Sequence, residues 1–166
     1  MEIERKYLLK SLPADLEQYP SRQIEQAYLC TSPVVRIRHL DDQYILTYKS
    51  GGMLARQEVE LPLTAPSYLH LRQKADGTIL SKKRYLLPLD NHLTIELDVF
   101  QGMLEGFIMA EVEFATVEEA DKFTPPDWFG MDVTFNSHFH NSNISSMNEE
   151  QRKAFMEYYH KLQASS

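Results

Sequence analysis

The strongest constraint on this chain is a period-two alternation in which one face of nearly every extended segment is charged. Eight segments, 2–9, 24–31, 34–40, 44–50, 56–63, 79–87, 93–100 and 108–115, read as strands separated by turn signals such as Asp41-Asp42, Gly51-Gly52 and Asp76-Gly77. In the first of them Glu2, Glu4 and Lys6 share a face, while Ile3, Tyr7 and Leu9 share the other, with Arg5 the exception. Any one such strand would suit an open sheet with a wet side. The pattern recurs, however, in Arg36 and Arg38, in Arg56, Glu58 and Glu60, in Lys82 and Arg84, in Glu96 and Asp98, and in Glu111 and Glu113, with Lys49 added from the fourth segment. Ile3, Val35, Ile37, Val59, Leu61, Ile95, Leu97, Val99, Val112 and Phe114 take the opposite positions and need an apolar cover. The sheet is therefore expected to be inside-out: mainly β within an α+β chain, an eight-stranded antiparallel closed barrel with a charged lumen and a few helices packed outside.

Helical spacing is confined to a weak stretch after Pro13, to 65–75, to 117–123 behind Thr116 as a cap, and to 148–163. In the last, Gln151, Ala154, Phe155, Tyr158, Tyr159 and Leu162 are expected to form the packing face, with Arg152 toward solvent. No repeat or linker divides the chain, so residues 1–166 are expected to form a single domain. Trp128 and the Tyr158-Tyr159 pair read as packing anchors, and Cys30, the only cysteine, as a small core residue.

Charges enclosed in a lumen need mutual pairing, a metal or a charged ligand, because burying them unpaired is prohibitive. Clustered carboxylates suit Mg²⁺ or Mn²⁺, and clustered arginine and lysine suit phosphate oxygens, so a lumen holding both is matched to a polyphosphate chain. The formal charge of −7 disfavours a general nucleic-acid or anionic-membrane surface. No apolar run approaches the ~20 residues needed to span a bilayer, and Met1-Glu2-Ile3-Glu4-Arg5-Lys6 lacks the apolar centre of a signal peptide, so the cytoplasm is the expected compartment.

The ordered elements Glu2-Ile3-Glu4-Arg5-Lys6, Gln26-x-Tyr28-Leu29, Arg36-Ile37-Arg38, Lys49, Arg56-x-Glu58-x-Glu60, Lys82-x-Arg84-Tyr85, Glu96-x-Asp98-x-Phe100 and Glu111-Val112-Glu113-Phe114 resemble those of the CYTH domain proteins, the triphosphate tunnel metalloenzymes. The similarity runs from Glu2 through Asp132-Val133-Thr134. It implies a tunnel that binds triphosphate with one or two divalent cations. By motif, Glu2, Glu4, Glu111 and Glu113 would be metal ligands, with Glu60 and Asp98 as additions, and Lys6, Arg36, Arg38, Lys49, Arg56, Lys82 and Arg84 would hold phosphates. Lys6 and Tyr28 match the pair implicated in positioning the attacking water. The chain departs from many relatives after the Val-Thr element, reading Phe135-Asn136-Ser137-His138-Phe139-His140-Asn141 where they continue with Gly-Asp and an aromatic-Ser-Asn stretch. His138, Phe139 and His140 are expected on a surface loop without chemistry.

The expected activity is hydrolysis of inorganic triphosphate or a small organic triphosphate, with Mg²⁺ or Mn²⁺. The alternatives are cyclisation of ATP to cyclic AMP, as in class IV adenylyl cyclases, and a non-catalytic polyphosphate-binding module. The expected partner is a small-molecule triphosphate, with no nucleic acid or membrane, and a homodimer is a further possibility.

Overall fold

The computed structural model describes residues 1–165. Ten strands form one antiparallel sheet: β1 (Glu2–Leu9), β2 (Ser21–Thr31), β3 (Val34–Leu40), β4 (Gln43–Lys49), β5 (Ala55–Arg56), β6 (Glu58–Leu63), β7 (Asp76–Pro88), β8 (Thr94–Gln101), β9 (Ile108–Glu113) and β10 (Phe129–Asp132). Their order is β10-β1-β9-β8-β7-β2-β3-β4-β6, and β5 returns to pair with β1. The expected strand 56–63 is thus broken at Gln57: β6 pairs with β4, while β5 crosses to β1 with Glu2 opposite Arg56 and Ile3 opposite Ala55. That crossing nearly closes the barrel. Around the ring the ten strands occupy eight places, because β5 and β6 share one and β10 lies outside it beside β1.

Helices α1 (Ala65–Arg72), α2 (Val117–Lys122), α3 (Asn141–Ser145) and α4 (Glu149–Ala164) complete the fold. Each of α1, α2 and α4 starts at a side-chain cap, from Thr64, Thr116 and Asn148, which satisfies backbone donors that the first turn leaves free. The stretch after Pro13 forms only a 3₁₀ turn at Leu16–Gln18.

An inside-out sheet places its core on the outside, and three patches cover it. Ala120 of α2, with Phe123, Trp128 and Phe129, packs on Ile3, Tyr7, Leu97 and Val112. Ile144 of α3, with Phe155 and Tyr159 of α4, packs on Leu8, Phe100, Phe107 and Met109. Tyr68 of α1 packs on Ala27 and Ile37. Full burial of side chains of this size contributes about 1.5–3 kcal/mol each. Trp128 and Tyr159 are packing anchors, as expected.

Several expectations are corrected. Val59 and Leu61 of β6 stay 42% and 55% exposed and join none of the three apolar patches. Cys30 is exposed, since a register shift between Tyr28 and Cys30 breaks the alternation on β2 and turns the thiol outward. Gln151 and Ala154 face solvent. Gln151 instead closes the cap with Asn148, and Arg152 turns inward to hydrogen-bond Thr78 Oγ1 and the Met147 carbonyl.

Gly77, the second residue of β7, has φ +73°, and a Cβ there would come within 2.3 Å of the Ser145 carbonyl oxygen of α3. Replacing Gly77 with Ala should therefore lower the unfolding free energy by ~2 kcal/mol or more, read by urea denaturation. Gly51→Ala, where no atom lies within 4 Å, should change it by no more than ~0.5 kcal/mol.

Candidate active site

Strand register brings the inward charges into one lumen. Its cavity is lined by seven carboxylates, Glu2, Glu4, Glu58, Glu60, Glu96, Glu111 and Glu113, and by six bases, Lys6, Arg36, Arg38, Lys49, Arg56 and Arg84. Tyr28, Val34, His140, Asn141 and Ser142 complete the wall. The side chains fill most of the space and leave a cavity of about 100 Å³.

Most of the bases are tied to acids. Lys49 Nζ lies 2.8 Å from both Glu2 oxygens and 3.3 Å from Glu58. Arg56 reaches Glu2 at 3.2 Å and Glu4 at 3.7 Å, and Lys6 lies 3.7 Å from Glu4. Arg38 pairs at 3.3 Å with Glu60, which sits at the exposed edge of the cavity. Arg84 donates to both Asp98 oxygens, at 2.7 and 2.9 Å, and to Glu96 at 2.8 Å.

Two residues expected to act on ligand stand behind the wall. Asp98 and Lys82 do not line the cavity; both are fully buried, and their charged groups lie 2.7 Å apart. Burial pushes the Lys82 ammonium down to about 8. Burial alone would raise Asp98, but Arg84 and Lys82 outweigh it and hold the carboxyl below its usual range. The reason is register. Arg84 is directly opposite Asp98 on β8 and takes up the carboxylate that a cation would need. This arrangement makes Asp98 a clamp on Arg84.

The carboxylates are arranged differently. Glu4 of β1 faces Glu113 of β9 directly across the ladder, and Glu111 faces Glu96 of β8. Like charges at directly opposed positions destabilise a sheet unless something compensates. Glu4 has its bases, and Glu96 has Arg84. Among the described residues Glu111 and Glu113 make no salt bridge, and Glu111 Oε1 is a buried oxygen without a hydrogen-bond partner. Glu113 is an exposed residue, yet partial burial of its carboxyl and the neighbouring Glu2, Glu96, Glu58 and Glu4 push it up to about 7. Burial would raise Glu4 too, but Lys6 and Lys49 outweigh it and hold it low. The demand for a cation is thus concentrated at Glu111 and Glu113. An all-oxygen donor set of this kind fits a hard divalent cation. Among the described residues no three acidic or imidazole side chains converge as a finished metal cage.

Lys6 and Tyr28 both face the cavity. The Lys6 backbone is pinned by its amide donating to Thr134 Oγ1 at 3.0 Å and its carbonyl accepting from Val133 at 2.9 Å. Gln26, fully buried, donates to the Tyr28 hydroxyl at 3.4 Å. The expectation of a surface loop is corrected at His140, which lines the lumen and lies 3.4 Å from the Thr134 carbonyl. Burial, reinforced by Lys6, lowers its pKa. Phe139 is buried in the outer core, while His138 stays at the surface. Asn141 and Ser142 also reach the cavity. The only sign of this in the sequence is the break from the motif after Thr134.

The CYTH domain family matches residues 1–148. The chain belongs to the CYTH domain family. An inorganic triphosphatase from Nitrosomonas europaea is 36% identical over 148 residues, covering 87% of this chain and 96% of that protein. One from Acetivibrio thermocellus is 32% identical over 113 residues, covering 66% and 70%. A crystal structure of an inorganic triphosphatase superposes with a TM-score of 0.66 at 31% identity, covering 89% of this CYTH chain and 96% of the other.

The Glu113 carboxyl yields a pH prediction. Its folded pKa, about 7, lies above the ordinary 4.5, so between those values the folded state holds a proton that the unfolded state has lost. Stability from this group therefore falls as pH rises through that window. In chelator, the stability of the wild type relative to Glu113→Gln should decline from pH 4.5 to 7, as read by urea denaturation. A constant difference would show that Glu113 is not crowded by its neighbours.

Proposed function

We propose that this CYTH chain hydrolyses a phosphoanhydride bond of inorganic triphosphate inside the barrel, assisted by a divalent cation, Mg²⁺ or Mn²⁺. The observation that carries the reading is the division of the lumen: directly opposed carboxylates on β1, β8 and β9, of which Glu111 and Glu113 of β9 make no salt bridge among the described residues, and arginines and lysines on β3, β4, β5 and β7. A module that only bound an anion would need the bases but not these acids. The similarity to proteins named inorganic triphosphatase favours hydrolysis over cyclisation.

Metal dependence is general among the CYTH triphosphatases, and here Glu2, Glu4, Glu111 and Glu113 would hold the ion. When bound, it would neutralise charge on phosphate oxygens and polarise the phosphoryl group. Everything else falls to the chain. Arg36 and Arg38 hold phosphate oxygens through guanidinium forks that a lysine cannot reproduce. Lys49, Arg56 and Arg84 neutralise charge along the phosphate chain, with Arg84 kept in place by Asp98. Lys6 and Tyr28 orient the water for in-line attack, Lys6 fixed through Thr134 and Tyr28 through Gln26. The wall is close to electrically balanced, seven acids against six bases, so it accepts a metal and a polyanion together at lower cost than either alone.

A product assay tests the reading. With Mg²⁺ or Mn²⁺, the protein should release orthophosphate faster from inorganic triphosphate than from ATP, GTP or thiamine triphosphate. Cyclic AMP with pyrophosphate from ATP would establish the cyclase instead. Within the same assay Tyr28→Phe should lower kcat, whereas Arg38→Ala should mainly raise KM. A Tyr28→Phe enzyme with unchanged kcat would remove Tyr28 from the water-positioning role.

A further inference from the structure

At the end of the barrel where β1 and β2 finish and β3 and β7 begin, the lumen meets the start of α3. The position of α3 is set by close packing. Its Ser145 carbonyl sits against Gly77, where no side chain would fit, and Ile144 and Phe139 are fully buried in the outer core. Upstream, the Asn143 side chain donates to the Ser137 carbonyl at 2.6 Å, and Val133 is tied to Lys6. The segment His140-Asn141-Ser142 is thereby held against the cavity together with Lys6, Tyr28 and Val34.

Asn141 is 8% exposed, lines this charged cavity, and its buried Oδ1 has no hydrogen-bond partner. Leaving such an oxygen unpaired is costly, and in a segment held by close packing it calls for a ligand that supplies a donor. The chemistry of a carboxamide narrows that ligand. It presents donors and an acceptor side by side without charge, so the neighbouring acids and bases do not capture it in an ion pair. A free terminal phosphoryl group is its complement: non-bridging oxygens accept, and with a second pKa of about 6 the group still carries a P–OH donor part of the time near neutral pH. Internal or esterified phosphates lack that donor.

Building on the triphosphate reading above, we propose that Asn141 recognises the free terminal phosphoryl group of the substrate. Its Nδ2 donates to a non-bridging oxygen, and its Oδ1 accepts from the terminal P–OH or from a water bound to it. Asn141 is then a specificity-determining residue that favours linear phosphates with an unesterified end.

The test is calorimetric titration of tripolyphosphate in chelator, paired with steady-state hydrolysis in Mg²⁺. Asn141→Ala should weaken binding and raise KM by about tenfold to a hundredfold, as expected for a lost hydrogen bond to a charged group, with kcat within about threefold and the melting temperature unchanged. Asn141→Asp, of the same shape, should lose at least as much affinity and serves if the alanine variant unfolds. A dinucleoside triphosphate, esterified at both ends, should bind wild type and variants equally. Unchanged tripolyphosphate affinity in a folded variant, or an equal loss for the doubly esterified ligand, overturns the assignment and leaves the triphosphatase reading standing. A wild type that neither binds nor hydrolyses tripolyphosphate defeats both.

Discussion

Inward-facing charges that must find partners across strand boundaries govern this barrel. Lys49 on β4 and Arg56 on β5 both converge on Glu2 of β1, at the seam where β5 and β1 share only two paired positions. The ring closes there with little backbone ladder, so the ion pairs at Glu2 supplement what hydrogen bonding alone supplies. The outer core follows from the same constraint. Once the polar faces turn inward, the apolar faces turn outward, and α1, α2, α3 and α4 are needed to cover them.

The pairing also bears on how one lumen would serve the two ligands proposed for it, which are of opposite sign. Bases held by carboxylates are already placed and desolvated, and phosphate oxygens are chemically similar partners for them. Carboxylates released from a base are ligands for a cation. With about 100 Å³ free, a triphosphate would enter by exchanging partners with the wall rather than by filling a void. Asp98 stands apart from this exchange. Bound by both Arg84 and Lys82 behind the wall, it fixes one base, whereas the exchange proposed above would involve the bases that line the cavity.

Much of this was legible in the sequence, because alternation of charged and apolar residues is a local signal that survives into the sheet. The faces assigned to Glu2, Glu4, Lys6, Arg36, Arg38, Glu111 and Glu113 are the faces that line the lumen. Depth was not legible: Asp98 and Lys82 lie on the same face as Glu96 and Arg84, and barrel register alone moves them behind the wall. Cys30 was misplaced because a bulge leaves no compositional trace. α3 was missed because Asn141, Ser142, Asn143, Ser145 and Ser146 have the composition of turns and caps, while the packing that orders them comes from distant Gly77. β10 is four residues long and follows Pro125-Pro126, too short for a periodic signal.

The central claim is that acids and bases of the lumen form one site in which cation and polyanion bind together. It is tested most directly by titrating a non-hydrolysable imido analogue of triphosphate, with and without Mg²⁺, into the wild type and into Glu111→Gln. Mg²⁺ should tighten binding of the analogue at least about tenfold in the wild type, and most of that gain should vanish in the variant, a coupling of about 1.4 kcal/mol or more. Equal affinity in chelator and in Mg²⁺, or the same gain in both proteins, would contradict the account.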